Sequence, residues 1–329
     1  MAVDKTWVTA ADVARHAGVS RSAVSRTFTA GASVSEPTRQ RVLAAASELG
    51  YQVNIIARTM ITGSSNFIGI VTAGFDNPFR SKLLAPLVHH LALQGFMPLL
   101  MNADDPQQLE PSLRQLLSYH VAGVILTSGA PPLSLAEEYL AKKIPVTLIN
   151  RHAALVGADR VSSDNAQGAQ LAATHLRAQA AKNIAFIGEN AANFSTRQRY
   201  EAFCSALPDQ HIETLFCPLG GYQAGWDAAA TLLLKQPQLD AFFCATDMLA
   251  MGVIDYLRAQ QIPPGMIKVM GFDDIPQAAF GAYQLTTLAQ DTDQLASHAV
   301  DLLIKRIEDF SRPGVQKTIP VKLIVRQSA

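Results

Sequence analysis

The sequence predicts an α/β protein with a small helix-turn-helix domain at its N-terminus and a larger body that contains parallel sheets. Two observations carry this prediction. From residue 66 onward, apolar strand-like runs alternate with amphipathic helical segments, which indicates βαβ units whose sheets are covered on both faces. Residues 1–60 hold seven basic and four acidic side chains, against 20 basic and 23 acidic in the remainder. A basic N-terminus on an acidic body is typical of a chain whose N-terminus binds phosphate.

The composition indicates which compartment and which class of protein to expect. The chain has 329 residues, 49% of them hydrophobic, which is enough for more than one core. Its cysteines, Cys204, Cys217 and Cys244, show neither paired nor metal-ligand spacing, so we expect a reducing compartment and no metal site. The N-terminus lacks the apolar core of a signal peptide, and no apolar run reaches the ~18–20 residues that span a bilayer. The sequence therefore predicts a cytoplasmic protein without a membrane partner.

The first two predicted helices follow each other closely. Thr9 is a suitable N-cap for AADVARHA, and Gly18 is a suitable stop for that helix. Ser20 then caps a second helix, RSAVSRTF, and the short link between the two gives the helix-turn-helix layout. The exposed face of the second helix has no acidic residue, and its polar side chains suit base edges and phosphates. These side chains are Arg21, Ser22, Ser25 and Arg26.

A third helix completes this domain. Ser35 precedes EPTRQRVLAAASEL, which has Pro37 in its first turn and Gly50 just beyond its end. A three-helix unit of this kind can also be a plain helical mini-domain. The acid-free polar face of the second helix is the feature that favours DNA binding over that alternative.

Seven apolar runs predict the strands of the body, and six amphipathic stretches predict helices. The runs are 67–73, 96–101, 122–127, 144–149, 183–188, 240–245 and 267–272. The helical stretches are 79–94, 134–142, 166–179, 222–235, 247–260 and 292–310. Because open parallel sheets bind ligands beyond the carboxyl ends of their strands, the residues that follow each run are candidates for a binding site.

The segments VTAADVARHAGVSRSAVSRTF and VSEPTRQRVLAAASELGY resemble the N-terminus of the lactose-repressor (LacI/GalR) family of bacterial regulators. The resemblance extends over nearly the whole chain. It implies that Arg21 and Ser22 contact bases in the major groove and that Arg26 also reaches the DNA. Phosphate contacts are expected from Thr9, Ser20 and Ser25. The sequence departs from the family at Ala23, where a threonine is common, so one hydroxyl contact is lost there.

The segment YQVNIIARTMITG resembles the hinge of the same family, which forms a short helix on DNA and presses into the minor groove. The resemblance places Asn54 and Ala57 in this contact and puts Met60 where an apolar side chain wedges between base pairs. Val53 replaces the usual proline, which loosens the entry to the hinge. The alternative for Met60 is an ordinary linker hydrophobe.

The resemblance also implies a two-lobed, periplasmic-binding-protein-like body with a cleft between the lobes. The expected division is a DNA-binding head at 1–52, a hinge and linker at 53–65, and an effector-binding and dimerisation domain at 66–329. Its first lobe comprises about 66–162 and 291–322, and its second lobe about 163–290 and 323–329.

Strand ends and the resemblance point to the same candidate effector-binding residues. They are Phe75, Asp76, Asn77, Phe79, Arg80, Ser128, Arg151, Asp164, Ser195, Arg199, Thr246, Asp247 and Asp273. Three of them have plainer alternatives. Asp247 can cap the helix that it opens, Asp164 can brace the crossover between the lobes, and Arg151 can pair with an acidic neighbour on the rim. An aspartate with an arginine is a usual pair for binding adjacent hydroxyl groups, which favours Asp273 and Arg199 as ligand contacts.

Arg80 is a departure, because most relatives have an aromatic residue at that position. If it points inward, the cleft holds Arg80, Arg151 and Arg199, and three guanidinium groups favour an anionic ligand such as a sugar acid or a sugar phosphate. The alternative is that Arg80 turns outward and the ligand is a neutral sugar or nucleoside.

The predicted function is a DNA-binding transcription repressor that responds to a small molecule, expected to be a carbohydrate. A homodimer would read a near-palindromic operator. An activator or dual regulator that responds to a nucleoside or another neutral ligand is the alternative. No catalytic residue and no cofactor are predicted, because nucleophile-elbow, Walker and dinucleotide motifs are missing. His89 and His90 diverge by about 100° on a helix and cannot share an ion.

Overall fold

The computed structural model of the chain describes residues 7–29, 31–53, 65–103, 111, 114–127, 133–151 and 155–329. It contains two compact units, Met1–Ser65 and Asn66–Ala329.

The N-terminal unit contains three helices, α1 (Ala10–Ala17), α2 (Arg21–Thr27) and α3 (Glu36–Leu49). Thr9 caps α1, and Gly18 ends it in the left-handed conformation at φ 63°, which glycine adopts without strain. The side chain of Ser20 accepts a hydrogen bond from the third residue of α2 and so caps that helix. Val13, Val24 and Val42, one from each helix, are fully buried against one another in a small core. The predicted helix-turn-helix is confirmed.

The larger unit alternates strands with helices. In chain order its elements are β1 (Phe67–Thr72), α4 (Pro78–Leu93), β2 (Met97–Asn102), β3 (Gly123–Leu126), α5 (Leu133–Ala141), β4 (Val146–Ile149), β5 (Asp159–Ser163), α6 (Asn165–Ala178), β6 (Ile184–Glu189), α7 (Phe194–Ala206), β7 (Ile212–Cys217), α8 (Tyr222–Lys235), β8 (Ala241–Cys244), α9 (Asp247–Ala259), β9 (Lys268–Asp273), a 3₁₀ turn (Pro276–Ala279), β10 (Thr286–Gln290), α10 (Thr292–Glu308), β11 (Gln316–Ile319) and β12 (Val321–Ile324).

The strands form two six-stranded sheets, one in each lobe. The sheet of lobe 1 has the order β11-β5-β4-β3-β1-β2, and the sheet of lobe 2 has the order β12-β10-β9-β8-β6-β7. All neighbouring strands are parallel except β10 and β12, which are antiparallel. The predicted fold class is therefore confirmed, and each of the seven predicted runs contains a strand.

The chain passes between the lobes three times. It leaves lobe 1 after β5, returns after β10, and crosses for the last time between Ile319 and Val321. That last crossing lies slightly before the position expected from the sequence, because β12 already belongs to the sheet of lobe 2. Helix α10 packs on α4 and on strands β3 to β5, so it is part of lobe 1.

A fully buried ion pair joins the end of α10 to β5. Arg306 Nε lies 2.7 Å from Asp159 Oδ2, and both side chains are inaccessible to solvent. The Arg306 guanidinium also donates to the carbonyl groups of Phe310, Arg312 and Pro313, while the Val315 amide donates to Asp159. The pair therefore fixes the turn that leads from α10 into β11.

Close packing of α8 on α9 in lobe 2 depends on glycine. A Cβ atom at Gly252 would lie 2.1 Å from the Tyr222 carbonyl oxygen and 2.6 Å from the Trp226 amide nitrogen, both of them backbone atoms that cannot move aside cheaply. We expect Gly252→Ala to lower the free energy of unfolding by about 1–3 kcal/mol through overpacking. Gly281→Ala is the matched control, because nothing lies within 4 Å of its added methyl group. Urea unfolding that shows equal stability for the two variants would contradict this packing argument.

Candidate functional site

The polar face of α2 is open to solvent. Arg21, Ser22, Ser25 and Arg26 are all exposed, and no described acidic side chain lies within ion-pair distance of either arginine. Ser20 and Ser22 share a hydrogen bond of 2.8 Å between their hydroxyl groups. This face is thus a compact set of uncompensated donors, as contact with a phosphate backbone and base edges requires.

The hydroxyl and the amide of Thr9, predicted to contact phosphate, are already hydrogen-bonded within the protein. Its hydroxyl donates to Asp12 Oδ2 at 2.7 Å, and its amide donates to the same oxygen in a capping box. The hydrogen bonds from Thr9 lower the pKa of Asp12, so a carboxylate stands at the start of α1. A phosphate that approaches Thr9 would meet this negative charge. The predicted hinge contacts Asn54, Ala57 and Met60 lie outside the described residues.

A cleft between the two lobes gathers polar side chains from strand ends and helix starts. Seven predicted effector-binding residues line it, namely Asn77, Phe79, Arg80, Ser195, Arg199, Thr246 and Asp273. Five further lining residues were not predicted, namely Asn150, Glu189, Asn193, Thr196 and Gln290. The free volume between these side chains is ≈ 30 Å³, which is about the space of one water. Because pockets for small ligands hold ≈ 300–1,000 Å³, the cleft must widen before a ligand of that size can enter.

Arg199, on α7, forms the floor of the cleft and is buried. Its Nε donates to Asn165 Oδ1 at 2.8 Å, and its Nη1 donates to the Ala245 carbonyl. The guanidinium carbon also lies 3.5 Å from the centroid of the Phe272 ring. Burial lowers the pKa of Arg199, and the neighbouring carboxylates, chiefly Asp273, oppose that shift. A rigidly held cation at this depth is suited to binding ligand oxygen atoms.

Asp273, the last residue of β9, faces Arg199. Its Oδ1 lies 3.7 Å from Arg199 Nη1 and accepts a hydrogen bond of 2.6 Å from Gln290 Nε2. Burial raises the pKa of Asp273, while the charge of Arg199 lowers it. Its backbone has φ 124°, a conformation that side-chain-bearing residues rarely adopt. The surroundings therefore hold this carboxyl group in a strained position that points into the cleft.

A hydrogen-bonded chain connects Asp273 to lobe 1. The side-chain oxygen of Gln290 accepts from Asn150 Nδ2 at 3.0 Å and from Ser163 Oγ at 2.5 Å. Asn150 in turn accepts from the Ser163 amide. Gln290 thus joins the two lobes at the point where the chain crosses between them.

Arg80 lines the cleft but bends back onto its own loop. Its Nη1 donates to the Ala73 carbonyl and lies against Gly74, where an added Cβ atom would lie 1.8 Å away. Arg151, the third predicted guanidinium group, is not among the described lining residues, and burial lowers its pKa, so its contact with a ligand stays a prediction. Glu189, which was not predicted, adds a second carboxylate. The described lining therefore has Arg80 and Arg199 against Glu189 and Asp273, so its formal charges cancel.

Several predicted residues stand outside the described lining. Phe75 and Asp76 lie beyond it in the β1–α4 loop, and Ser128 is not among the described residues. Asp164 caps α6 by accepting from the Gln167 amide, a role that neither of its sequence interpretations named. The capping alternative for Asp247 is wrong, and a ligand contact from it stays a prediction. Thr246 caps α9, whereas Asp247 is fully buried below the cleft and accepts hydrogen bonds from the Thr287 hydroxyl and the Ile275 amide.

Three of the five lining residues that were not predicted lie at the carboxyl ends of strands. Asn150 directly follows β4 and Glu189 ends β6, so the expectation that ligands bind beyond strand ends could have included both. Gln290 ends β10, a strand that the sequence did not reveal, and nothing marked it in advance.

Two negative observations concern the described part of the chain. None of its helices has both the length and the apolar character needed to cross a membrane. Within the same residues, no cluster of three or more histidine, cysteine or acidic side chains could hold a metal ion.

Comparisons with known proteins agree with this architecture. Residues 9–54 match the family model of bacterial regulatory proteins of the lacI family, and residues 173–329 match that of the periplasmic binding protein-like domain. The ribose operon repressor of Halalkalibacterium halodurans is 30% identical, with 96% of each chain covered. The sucrose operon repressor of Pediococcus pentosaceus is 33% identical over 95% of this chain and 97% of that protein. The solved lac repressor dimer, bound to operator and an anti-inducer, superimposes with a TM-score of 0.88 at 23% identity, covering 98% of this chain and 99% of that one.

Proposed function

The chain belongs to the lacI family of bacterial regulatory proteins, and from this membership we propose that it is a repressor released from or recruited to its operator by a neutral polyhydroxylated ligand. It is a DNA-binding transcription regulator with an effector domain. Both curated relatives named above are repressors of sugar operons, which supports repression rather than activation. The role is regulatory, not catalytic, and is exercised on DNA in the cytoplasm.

We infer the class of ligand from the arrangement of Arg199 and Asp273 in the cleft. A guanidinium donor and a carboxyl acceptor 3.7 Å apart can bind adjacent hydroxyl groups of one ligand. The described lining has two carboxyl groups beside its two cations, and the Asp273 carboxyl, whose pKa burial raises, can donate as well as accept a hydrogen bond, so the lining is not a cluster of cations directed at an anion. Asn77 and Asn193 add neutral amides at its edge. A neutral sugar or nucleoside fits this environment better than a sugar acid or sugar phosphate.

The proposed mechanism is a homodimer in which ligand binding changes how the lobes close and thereby the spacing of the two DNA-binding heads. Exposed apolar side chains of lobe 1 support dimerisation. They are Met97 and Leu100 on the edge strand β2 and Val88 and Leu93 on α4, all between 43% and 68% exposed. An uncovered apolar edge strand is a liability in a monomer and is suited to pairing with a second copy.

A ligand panel tests the ligand class directly. Thermal-shift measurements would compare ribose, sucrose and a purine ribonucleoside with ribose 5-phosphate and gluconate. We expect at least one neutral compound to raise the melting temperature, and the anions to give smaller shifts. Stabilisation by an anion alone would overturn the neutral class. Operator sites selected from random DNA with and without the active compound would then show whether it releases or recruits DNA.

Arg26 tests the DNA-binding face. We expect Arg26→Ala to weaken binding to the selected operator by about 1–3 kcal/mol, because a guanidinium contact to a base edge would be lost. Arg15→Ala is the control, since it removes the same charge from α1, where Arg15 pairs with Asp12. Fluorescence anisotropy with operator DNA and with scrambled DNA separates the loss of a base contact from the general loss of a positive charge. If Arg26→Ala binds the operator as well as the parent chain does, Arg26 makes no base contact.

A further inference from the structure

Besides the hydrogen bonds of Gln290, a hydrogen bond from Lys82 also joins the two lobes near the cleft. Lys82 lies on α4 of lobe 1, two residues beyond Arg80, and its Nζ donates to the Asp274 carbonyl of lobe 2 at 2.8 Å. A donor that carries a charge makes a stronger hydrogen bond than a neutral one. Since the cleft leaves ≈ 30 Å³ free, it must widen before a ligand of sugar size can enter, and movement of the lobes would widen it. Separation of the lobes would break this contact.

The acceptor belongs to a strained stretch of backbone. Asp273 has φ 124° and Asp274 has φ 50°, so two successive residues with side chains lie in the left-handed half of conformational space. Such backbone persists only where the surroundings hold it in place. The carboxyl group of Asp273 is also the one that faces Arg199 in the cleft. The direction of that carboxyl group therefore depends on whatever fixes these two residues.

Besides the ion pair with Arg199 and the pairing of β9 with β10, four hydrogen bonds that involve side chains hold this stretch. Gln290 donates to the Asp273 carboxyl group, Arg326 Nη2 lies 2.8 Å from Asp274 Oδ1, and the Ile275 amide donates to buried Asp247 at 2.8 Å. The fourth is the contact from Lys82, which comes from an element of lobe 1. The peptide unit between Asp274 and Ile275 is thus held from both sides, by Lys82 at its carbonyl and by Asp247 at its amide.

We propose that Lys82 is a positioning residue that couples closure of the lobes to the strained Asp273–Asp274 backbone, and so aims Asp273 at the ligand only when the lobes are closed. Its importance for effector binding rests on the proposed function, whereas the coupling itself is a property of the folded chain. When the lobes part, the Asp274 carbonyl loses its donor and the strained pair loses one of these four hydrogen bonds.

Lobe separation can be measured with a pair of spin labels. Asp76 follows β1 of lobe 1 and Leu219 follows β7 of lobe 2, so both lie beyond strand ends on the cleft side, and both are exposed. Cysteines at these positions, in a chain carrying Cys204→Ser and diluted into unlabelled protein, report one intramolecular distance. We expect Lys82→Met to raise the ratio of separated to closed lobes by about 10- to 100-fold, as expected for loss of a hydrogen bond from a charged donor.

The second readout is hydrogen exchange at Ile275, whose amide reports the strained segment. In Lys82→Met this amide should exchange its hydrogen faster. Lys82→Arg keeps a charged donor, so it should restore part of the lobe closure and part of the protection of the amide. Lys305→Met is the control, since Lys305 pairs with Asp301 within α10 of the same lobe. It should leave both readouts unchanged.

Each result decides the proposal. If the distance distribution of Lys82→Met matches that of Lys305→Met, the Lys82 hydrogen bond does not hold the lobes together and the proposal is overturned. Wider separation with unchanged exchange at Ile275 overturns the coupling. Equal effects of Lys82→Arg and Lys82→Met would assign the change to side-chain packing instead of hydrogen bonding, and would also overturn it. Neither readout uses DNA or a ligand, so failure of the proposed function leaves this test intact.

Discussion

Replacing Arg306 by methionine should lower the free energy of unfolding by about 3–5 kcal/mol, the usual cost of leaving a buried charge without its partner. Asp159 would remain in lobe 1 with no cation beside it, at a site where both side chains are fully buried. Three carbonyl groups in the turn after α10 would also lose their donor. Urea unfolding followed by circular dichroism measures the loss.

Lys305→Met is the matched control, because it removes a cation one residue away from an exposed pair and should change stability by less than about 1 kcal/mol. The double variant Arg306→Met with Asp159→Asn separates two causes. We expect it to remain well below the parent chain, because the unpaired carbonyl groups persist when the charge on residue 159 is gone. Full recovery in the double variant would mean that the turn does not need these hydrogen bonds.

Replacing Arg199 by methionine should abolish the response to the ligand. The variant loses the cation on the cleft floor, and with it hydrogen bonds that are each worth about 1.5–3 kcal/mol when a charged group takes part. We expect the affinity for the active compound of the ligand panel to fall by about 100-fold or more. Isothermal titration calorimetry measures the affinity. Arg197→Met is the control on the same helix, since Arg197 is exposed and faces Glu201 at 3.8 Å.

Arg199→Met should also change how the free energy of unfolding depends on pH. Burial raises the pKa of Asp273 and Arg199 lowers it, so removing Arg199 raises that pKa further. A carboxyl group with a raised pKa in the folded state binds more protons there than in the unfolded state, and its contribution to stability is therefore lost as the pH rises. In the parent chain the contribution of Asp273 to stability stops falling near the native pKa of this group. In the variant, where that pKa is higher, the contribution continues to fall at higher pH. The stability deficit of Arg199→Met should thus be larger at about pH 9 than at about pH 6. A deficit independent of pH would show that Asp273 is not coupled to Arg199.

Much of the fold follows from local patterns that the sequence displays. Caps at Thr9 and Ser20, with Gly18 between the helices, specify the helix-turn-helix through short-range hydrogen bonds. Buried parallel strands such as β3, β4 and β8 appear as continuous apolar runs, because both faces of each strand are covered. The strands that the sequence did not reveal lack a continuous buried apolar run, and β10, although buried, is largely polar. Strand β11 has three exposed residues out of four, and β5 alternates between buried and half-buried positions.

The sequence by itself determined the class of fold and the exposed polar face on α2, and it predicted the general place of the ligand, since each depends on residues close together in the chain. The tertiary structure decided which polar side chains enter the cleft. Strand ends bring many candidates to one edge, but unusual backbone angles at Asn150 and Asp273 set the direction of the side chains. It also brought Gln290 to Asp273 and Lys82 to Asp274, which no local pattern records. The helix-turn-helix required neighbours within a few residues, whereas the cleft depends on contacts between residues as far as 192 positions apart.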